Sequence, residues 1–401
     1  MFTIVNYRIF TFVNMETAEE FIGNYSQFKI DCLQGRLIKY DNLQEALVEL
    51  KKVYEIVEIG KSFLNIPIQA IKVGSGSKKI LAWSQMHGNE TTTTKGLLDF
   101  LNFLNKNREI DVVKEIFRQC TLLIIPMLNP DGAARYTREN VNKVDLNRDA
   151  LNLHEPESKV LRKCFEDFKP HFCFNLHDQR TIFGAGERKF PATISFLAPS
   201  MDAKRTVTKE RKKAMQIISA MNMELQKIIP GQIGRFDDSF NINCTGDFFQ
   251  AQKVPTILVE CGHFPQDYLR EETRKFFAFS FFIGLRSIAT GRYDQENLED
   301  YLQIPGNEKS FRDIMLRDVV INDETVDVAI QYSEKIKAGE VSFEPRVESI
   351  GKHLNFFGHE ERNCSGKEVK KIDGTDLIEN DIVEVILLNK EKLSIKSPDI
   401  P

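Results

Sequence analysis

Two histidines and two acids stand where chemistry could gather. His87 and Glu90 lie in Ser84-Gln-Met-His-Gly-Asn-Glu90, after the apolar run Ile80-Leu-Ala-Trp83 and before a helix-spaced stretch from Thr91 to about Asn107. That places both at the carboxyl end of a strand, on the turn into a helix, where open α/β sheets hold their sites. An imidazole and a carboxylate three apart on a tight turn can converge on one metal ion, and zinc accepts both at about 2.0–2.2 Å. A third ligand must come from elsewhere. His171-Phe-Cys-Phe-Asn-Leu-His177 reads as a strand, and His177 ends it as His87 ends its own. A lone histidine is more often structural than a ligand. Two histidines and a glutamate, each at a strand end of one α/β pattern, reverse those odds.

Further polar groups fall on the same pattern. Val254-Pro-Thr-Ile-Leu-Val-Glu260 is the last strong strand and ends on a carboxylate, a charge that is costly unless solvated, paired or functional. Cys120-Thr-Leu-Leu-Ile-Ile-Pro126 reads as a buried parallel strand, followed by Asn129-Pro-Asp-Gly132, a turn tetrapeptide. The polar loop from Ala133 to Arg148 then carries Arg135, Arg138 and Arg148, with Asn147 beside the last. Loops past strand ends carry function, and the guanidinium fork suits a carboxylate or a developing oxyanion.

The elements that must position these groups are legible as apolar periods. Helices are expected over Thr17 to Ile22, Asn42 to Val53, Thr91 to Asn107, Glu155 to Phe168, Thr208 to Ile229 and Arg270 to Ile288. Leu97, Leu98, Leu101 and Leu104, with Phe100 and Phe103, make a core-facing stripe on the third of these, and the methionines of the fifth read as core filler. Tyr54 to Ile59, Ile66 to Val73 and Thr193 to Ala198 read as strands, and Gly74-Ser-Gly-Ser77 as a hairpin turn. After about Gly291 the α/β alternation stops. Short strand candidates follow at Val319 to Ile321, Val326 to Tyr332, Val341 to Phe343 and Ile382 to Leu388. The expected organisation is an amino-terminal extension with short helices (1–50), an α/β domain (51–292) and a small β-rich domain (295–401) without a chemical motif. His353 and His359 in that last part read as ordinary surface or core histidines.

Bulk properties narrow the classes. The chain has 401 residues, 42% hydrophobic and 28% charged, with a formal net charge of −4, which gives no basic stripe for nucleic acid. Seven scattered cysteines without a CxxC pair suit a reducing compartment. The start, Met1-Phe-Thr-Ile-Val-Asn-Tyr-Arg8, lacks the features of a signal peptide, and no apolar segment reaches the roughly 20 residues that span a bilayer. The expectation is a cytoplasmic protein with neither membrane nor nucleic-acid partner.

Taken in order, His87-Gly-Asn-Glu90, Asn129-Pro-Asp-Gly132, Val144-Asp-Leu-Asn-Arg148, Asn175-Leu-His177 and the strand-terminal Glu260 resemble the zinc carboxypeptidases of the carboxypeptidase A type, over roughly residues 50–290. The resemblance implies a mixed twisted sheet with helices on both faces. It implies one Zn2+ per chain, held by His87, Glu90 and His177 with a fourth position for water. Glu260 would be the general base that takes the water's proton and returns it to the leaving amine. Arg138 would stabilise the oxyanion, with Arg135 as its competitor, and Asn147 and Arg148 would hold the substrate's terminal carboxylate.

This sequence departs from the family at the tyrosine usual before the last strand: Gly234 to Asp247 offers Phe240 and no tyrosine. Its loops are short. Asp178-Gln179-Arg180 follows the third ligand, with Asp178 expected to support His177 or to form a surface pair. Specificity would be read by about Asn243 to Asp247, holding Cys244 and Thr245, where Asp247 could also cap a helix. Three functions compete: a carboxypeptidase cleaving the C-terminal amide bond of peptides; an amidohydrolase of N-acyl amino acids, resembling aspartoacylase and succinylglutamate desuccinylase, or a trimmer of cell-wall peptides; and a non-catalytic binding protein on the same fold. The expected partner is a peptide or acylated amino acid with a free carboxylate.

Overall fold

The computed structural model describes residues 17–395; the Met1 to Arg8 stretch read above lies outside them. Among the described residues of the first three quarters of the chain there are nine strands: β1 (Glu55–Lys61), β2 (Pro67–Val73), β3 (Lys78–Trp83), β4 (Cys120–Ile125), β5 (Phe172–Asp178), β6 (Gly184–Ala185), β7 (Ile194–Leu197), β8 (Ile233–Arg235) and β9 (Thr256–Cys261). All but β6 form one sheet in the order β1-β2-β4-β3-β5-β9-β7-β8. Its middle strands β4, β3, β5 and β9 run parallel, so their carboxyl ends open on one edge. The helices are α1 (Ala18–Gly23), α2 (Tyr40–Leu50), α3 (Thr92–Lys106), α4 (Asp111–Gln119), α5 (Pro130–Arg135), α6 (Pro156–Phe168), α7 (Lys209–Leu225), α8 (Thr245–Ala251), α9 (Glu271–Thr290) and α10 (Leu298–Leu302).

Alternate strand residues serve opposite cores, as the two-residue period of a strand requires. Ile80 and Ala82 join the phenylalanines of α3 and α9 on one face, while Leu81 and Trp83 join Leu161 of α6 and Phe249 of α8 on the other. The apolar stripe of α3 is wholly buried there. The fold is thus a mixed α/β sheet with helices on both faces. Residues 17–50 share the first core through Phe21, Phe28, Leu43 and Leu47. They are also tied to it by polar bonds: the fully buried Arg274 of α9 donates to Asp99 and to the carbonyls of Leu33 and Ile30.

Two local readings are corrected and one element is added. Gly74 to Ser77 is no hairpin, because β4 inserts between β2 and β3 and pairs with both. The stretch needs its glycines for another reason: a Cβ on Gly76 would lie 1.9 Å from the backbone carbon of Gln119. Asn129-Pro-Asp-Gly132 does not merely bend; it starts α5, with the Asn129 side chain accepting from Gly132 N at 2.8 Å and Pro130 in the first turn. The region between α3 and β4 holds α4, which went unassigned in the sequence although Val113 and Ile116 are buried and Val112 and Phe117 pack on the same core at helical spacing.

The last quarter builds a second sheet. After β10 (Asn307–Glu308), strands β11 (Phe311–Ile321), β12 (Glu324–Lys337), β13 (Glu340–Gly351), β14 (Phe357–Lys371), β15 (Val385–Leu388) and β16 (Glu391–Ser394) pair in the order β13-β12-β11-β14-β15-β16. The sequence revealed only short apolar fragments of the longer strands. It did not reveal β14, which buries Gly358, Cys364 and Val369 among charged residues and pairs parallel to β11. The short β10 pairs with β6 and links this part to the loop that follows β5.

Candidate active site

The metal-ligand candidates come together because β3, β5 and β9 are neighbours. His177 and Glu260 are register partners across β5 and β9, which sets both side chains on one face at the open edge. His87 and Glu90 sit on the turn beyond β3, where Glu90 N donates to His87 O at 3.0 Å. Gln85 holds the turn from beneath, donating to Gly88 O at 3.0 Å and to Ile38 O at 2.9 Å. Gly88 packs directly on the start of the arginine loop: a Cβ there would lie 2.0 Å from the carbonyl carbon of Gly132. Only glycine lets the two backbones touch.

Three ligand atoms converge. His87 Nδ1 lies 2.8 Å from one Glu90 oxygen, His177 Nδ1 lies 2.8 Å from the other, and the two Nδ1 atoms are 3.2 Å apart. All three residues are buried, and among the described residues they form the group that could hold a metal ion. Ligands at about 2.0–2.1 Å from a tetrahedral centre are about 3.3 Å apart, so the observed spacing is close to that of three corners around one ion. Two imidazole nitrogens facing each other make at most one hydrogen bond; a shared cation satisfies both. The residues therefore fit zinc. Burial lowers the pKa of His177, and Glu90 only partly opposes this, which favours the neutral imidazole that a metal needs.

Groups around the triad fix its orientation. His87 Nε2 bonds Asp145 Oδ1 at 3.0 Å, the carboxylate–histidine support typical of metal ligands. Sequence reasoning gave Asp145 no role, although it stands inside Val144-Asp-Leu-Asn-Arg148. Asp178, expected to support His177, does something else. As the next residue on the strand it points the opposite way. Its carboxylate accepts from Thr92 N at 2.9 Å and Thr92 Oγ1 at 2.6 Å, bracing the first turn of α3, while its own N–H donates to Glu90 at 3.1 Å.

Arg138 reaches the triad, donating to Glu90 at 3.2 Å and to Asp145 at 3.1 Å. Arg135 ends α5 and does not line the cleft. Asn147 accepts from Thr245 N at 2.9 Å, and Arg148 donates to Asn147 O at 2.7 Å and Cys244 Sγ at 3.1 Å. Arg148 thus has no carboxylate partner among the described residues. Burial, with Glu90 close by, pushes the Glu260 carboxyl well above its usual range, and Arg138 opposes this. Asp247 lines the same cleft and accepts from Asn241 N at 2.8 Å.

These side chains line a cleft of about 1080 Å³. The second sheet forms part of its wall, which the sequence gave no means to foresee. Gln331, Tyr332, Ser333 and Glu334 of β12 and Arg346, Val347 and Glu348 of β13 face it. The seam is polar and buried. Arg36, from the amino-terminal segment, pairs with Glu334 at 3.1 Å, and Tyr136 donates to Glu334 at 2.5 Å. Tyr268 donates to Asp313 at 3.0 Å, and Gln331 donates to Thr181 at 2.7 Å. His359, read as an ordinary histidine, bonds Thr181 O at 2.8 Å and stacks on Phe311.

Comparison with known proteins agrees with this layout. Residues 40–213 match the zinc carboxypeptidase family. Carboxypeptidase SOL1 of Arabidopsis thaliana is 30% identical over 158 residues, 34% of this chain and 32% of that protein. Carboxypeptidase 2 of Trichophyton rubrum is 29% identical over 104 residues, 25% of this chain and 19% of that protein. A γ-D-glutamyl-L-diamino acid endopeptidase of Lysinibacillus sphaericus is 32% identical over 102 residues, 23% of this chain and 26% of that protein. The chain thus spans about a third or less of these curated relatives. Among solved structures, a metallo-carboxypeptidase from Burkholderia cenocepacia shares the fold with a TM-score of 0.52 at 14% identity, covering 64% of this chain and 70% of that one. No helix among the described residues is long and apolar enough to cross a membrane. Strand order, the converging ligands and these matches agree: residues 40–213 are similar to the zinc carboxypeptidase family, and the fold is that of a solved metallo-carboxypeptidase.

Proposed function

We propose that this protein is a zinc metallocarboxypeptidase that removes the C-terminal residue of a peptide. The observation that carries the reading is the meeting of His87, Glu90 and His177 around one point, with Glu260 in register beside His177. Zinc held there would act as a Lewis acid toward the scissile carbonyl and acidify a water. Glu260 takes the attacking water's proton and hands it to the leaving amine; a raised pKa suits an acid that must hold a proton between the two steps. Arg138 donates to the carbonyl oxygen as charge gathers there. Asn147 and Arg148 grip the terminal carboxylate, since the Arg148 fork has none of its own. Asp145 keeps the His87 ring in position.

The test is metal analysis of the purified protein together with a mass-spectrometric screen of free-acid and amidated peptides. Stoichiometric zinc, with loss of one residue from free acids only, is the expected result. Intact free-acid peptides in the presence of bound zinc overturn the reading. A second reading, trimming of cell-wall-derived peptides, is favoured by the similarity to the γ-D-glutamyl-L-diamino acid endopeptidase. Cleavage of γ-glutamyl peptides ahead of ordinary ones would select it. Release of amino acid from acylated amino acids, with every peptide left whole, would select the deacylase alternative instead.

A further inference from the structure

His177-Asp-Gln-Arg180 puts three polar residues in a row behind a metal ligand, and two of them turn inward. Asp178 braces α3. Gln179 donates to Ala192 O at 2.7 Å and Ser195 Oγ at 2.9 Å, and accepts from Asn307 Nδ2 at 2.7 Å. Arg180 is exposed, lines the cleft, and has no acceptor among the described residues. The other guanidiniums of the cleft are engaged: Arg36 by Glu334, Arg138 by Glu90 and Asp145, and Arg346 by Glu344 and Asn380 O. Arg148 holds only a carbonyl and a thiol.

The backbone around Arg180 is pinned on both sides. Arg270 donates to Gln179 O at 3.0 Å, Gln331 donates to Thr181 Oγ1 at 2.7 Å, and His359 bonds Thr181 O at 2.8 Å. A free guanidinium on a pinned stretch of backbone is a receptor for a carboxylate, and the ordering cost left at binding is that of its own side chain. The acids of that wall are already occupied: Glu334 by Arg36, Glu348 by Arg312, and Asp313 by Tyr268 and Gln331. Asp237, on the rim, accepts from Ser239 N at 2.9 Å on its own turn. Arg148 sits against Cys244 and Arg180 sits at the seam with the second sheet, so the cleft offers one unpaired cation at each place.

We infer that Arg180 receives a second substrate carboxylate, on the amino side of the scissile bond, so that the site favours peptides with an acidic residue next to the C-terminal one. The inference rests on the carboxypeptidase reading. The carboxylate can be the side chain of an α-linked glutamate or the α-carboxylate of a γ-linked one; both present the same group.

The test uses zinc-loaded full-length protein and Arg180→Ala and Arg180→Glu variants. The peptides carry α-linked Glu, γ-linked Glu, Gln or Lys before a common C-terminal residue. Cleavage is read as kcat/KM, and binding is read by calorimetry in a Glu260→Gln background. A preference for Glu over Gln of about tenfold is expected, falling to near unity in Arg180→Ala and turning toward Lys in Arg180→Glu. The two Glu arms identify the linkage. No charge preference, or one that persists in Arg180→Ala, overturns the assignment. Arg180-dependent binding without cleavage sinks the peptidase reading and leaves Arg180 as a carboxylate receptor only; cleavage indifferent to charge keeps the peptidase reading and overturns the role of Arg180. Failure of every peptide to bind overturns both.

Discussion

The two sheets meet the same cleft in different ways. The eight-stranded sheet presents the ends of its parallel strands, so His177 and Glu260 and the turn beyond β3 aim a few side chains at a point. The six-stranded sheet lies alongside, and successive residues such as Gln331 to Glu334 line a length of wall. Strand ends suit a reaction, which needs few groups held tightly. A strand running along a cleft suits contact with an extended ligand, which needs many groups in a row. Changes at the first sheet should therefore alter rate and metal affinity, and changes at the second should alter stability and substrate preference.

The largest expected effect tests the first half of that division. Glu260→Gln should lower kcat by about 10³-fold while leaving bound zinc unchanged. A variant that keeps its rate would place the base elsewhere. Next comes the seam. Burial pushes Asp313, fully buried at the second sheet, up to about 6. Its folded pKa exceeds the unfolded value of about 3.9, so the native state binds the proton more tightly. Its contribution is therefore fully present below about pH 4 and lost as pH rises through about 6, a change of about 3 kcal/mol. Denaturant titrations at a series of pH values should show a downward slope in this window that Asp313→Asn flattens. An equal slope in the variant removes Asp313 as the source.

Arg148→Ala should raise KM for free-acid peptides by about 10²-fold, the worth of a charge-assisted pair, and spare amidated ligands. Equal losses on both would mean that the arginine only supports Cys244 and Asn147. The smallest effect belongs to Asp145→Asn, which should weaken zinc binding by about 10- to 100-fold in competition with a chelator. An unchanged affinity would show that the His87 ring is held by packing alone.

What the sequence could show follows the same division. The eight-stranded sheet was legible because its buried parallel strands are short apolar runs; His87 and Glu90 follow one of them, and His177 and Glu260 lie at the ends of two others. The insertion of β4 between β2 and β3 was not legible, since pairing order is tertiary and Gly74 to Ser77 has the composition of a hairpin turn. Asp178 was misread because its neighbour His177 drew attention, although alternation along the strand already separates the two side chains. Arg36, more than 50 residues before the first ligand, entered the cleft unannounced. The second sheet gave only its apolar fragments, as β14 shows: with three buried residues in fifteen, its period is masked by the charges of its solvent face.

The touching backbones at Gly88 and Gly132 have a practical consequence for anyone who would diversify this protein. Outside the side chains that meet at the triad, the turn beyond β3 and the arginine loop can change in sequence, but not at these two positions and not by moving apart. A randomised library that spares both glycines together with His87, Glu90 and Asp145 keeps the geometry of the triad while other cleft residues are varied. One that substitutes Gly88, even by alanine, would spend its members on displaced loops before any new substrate could be sampled.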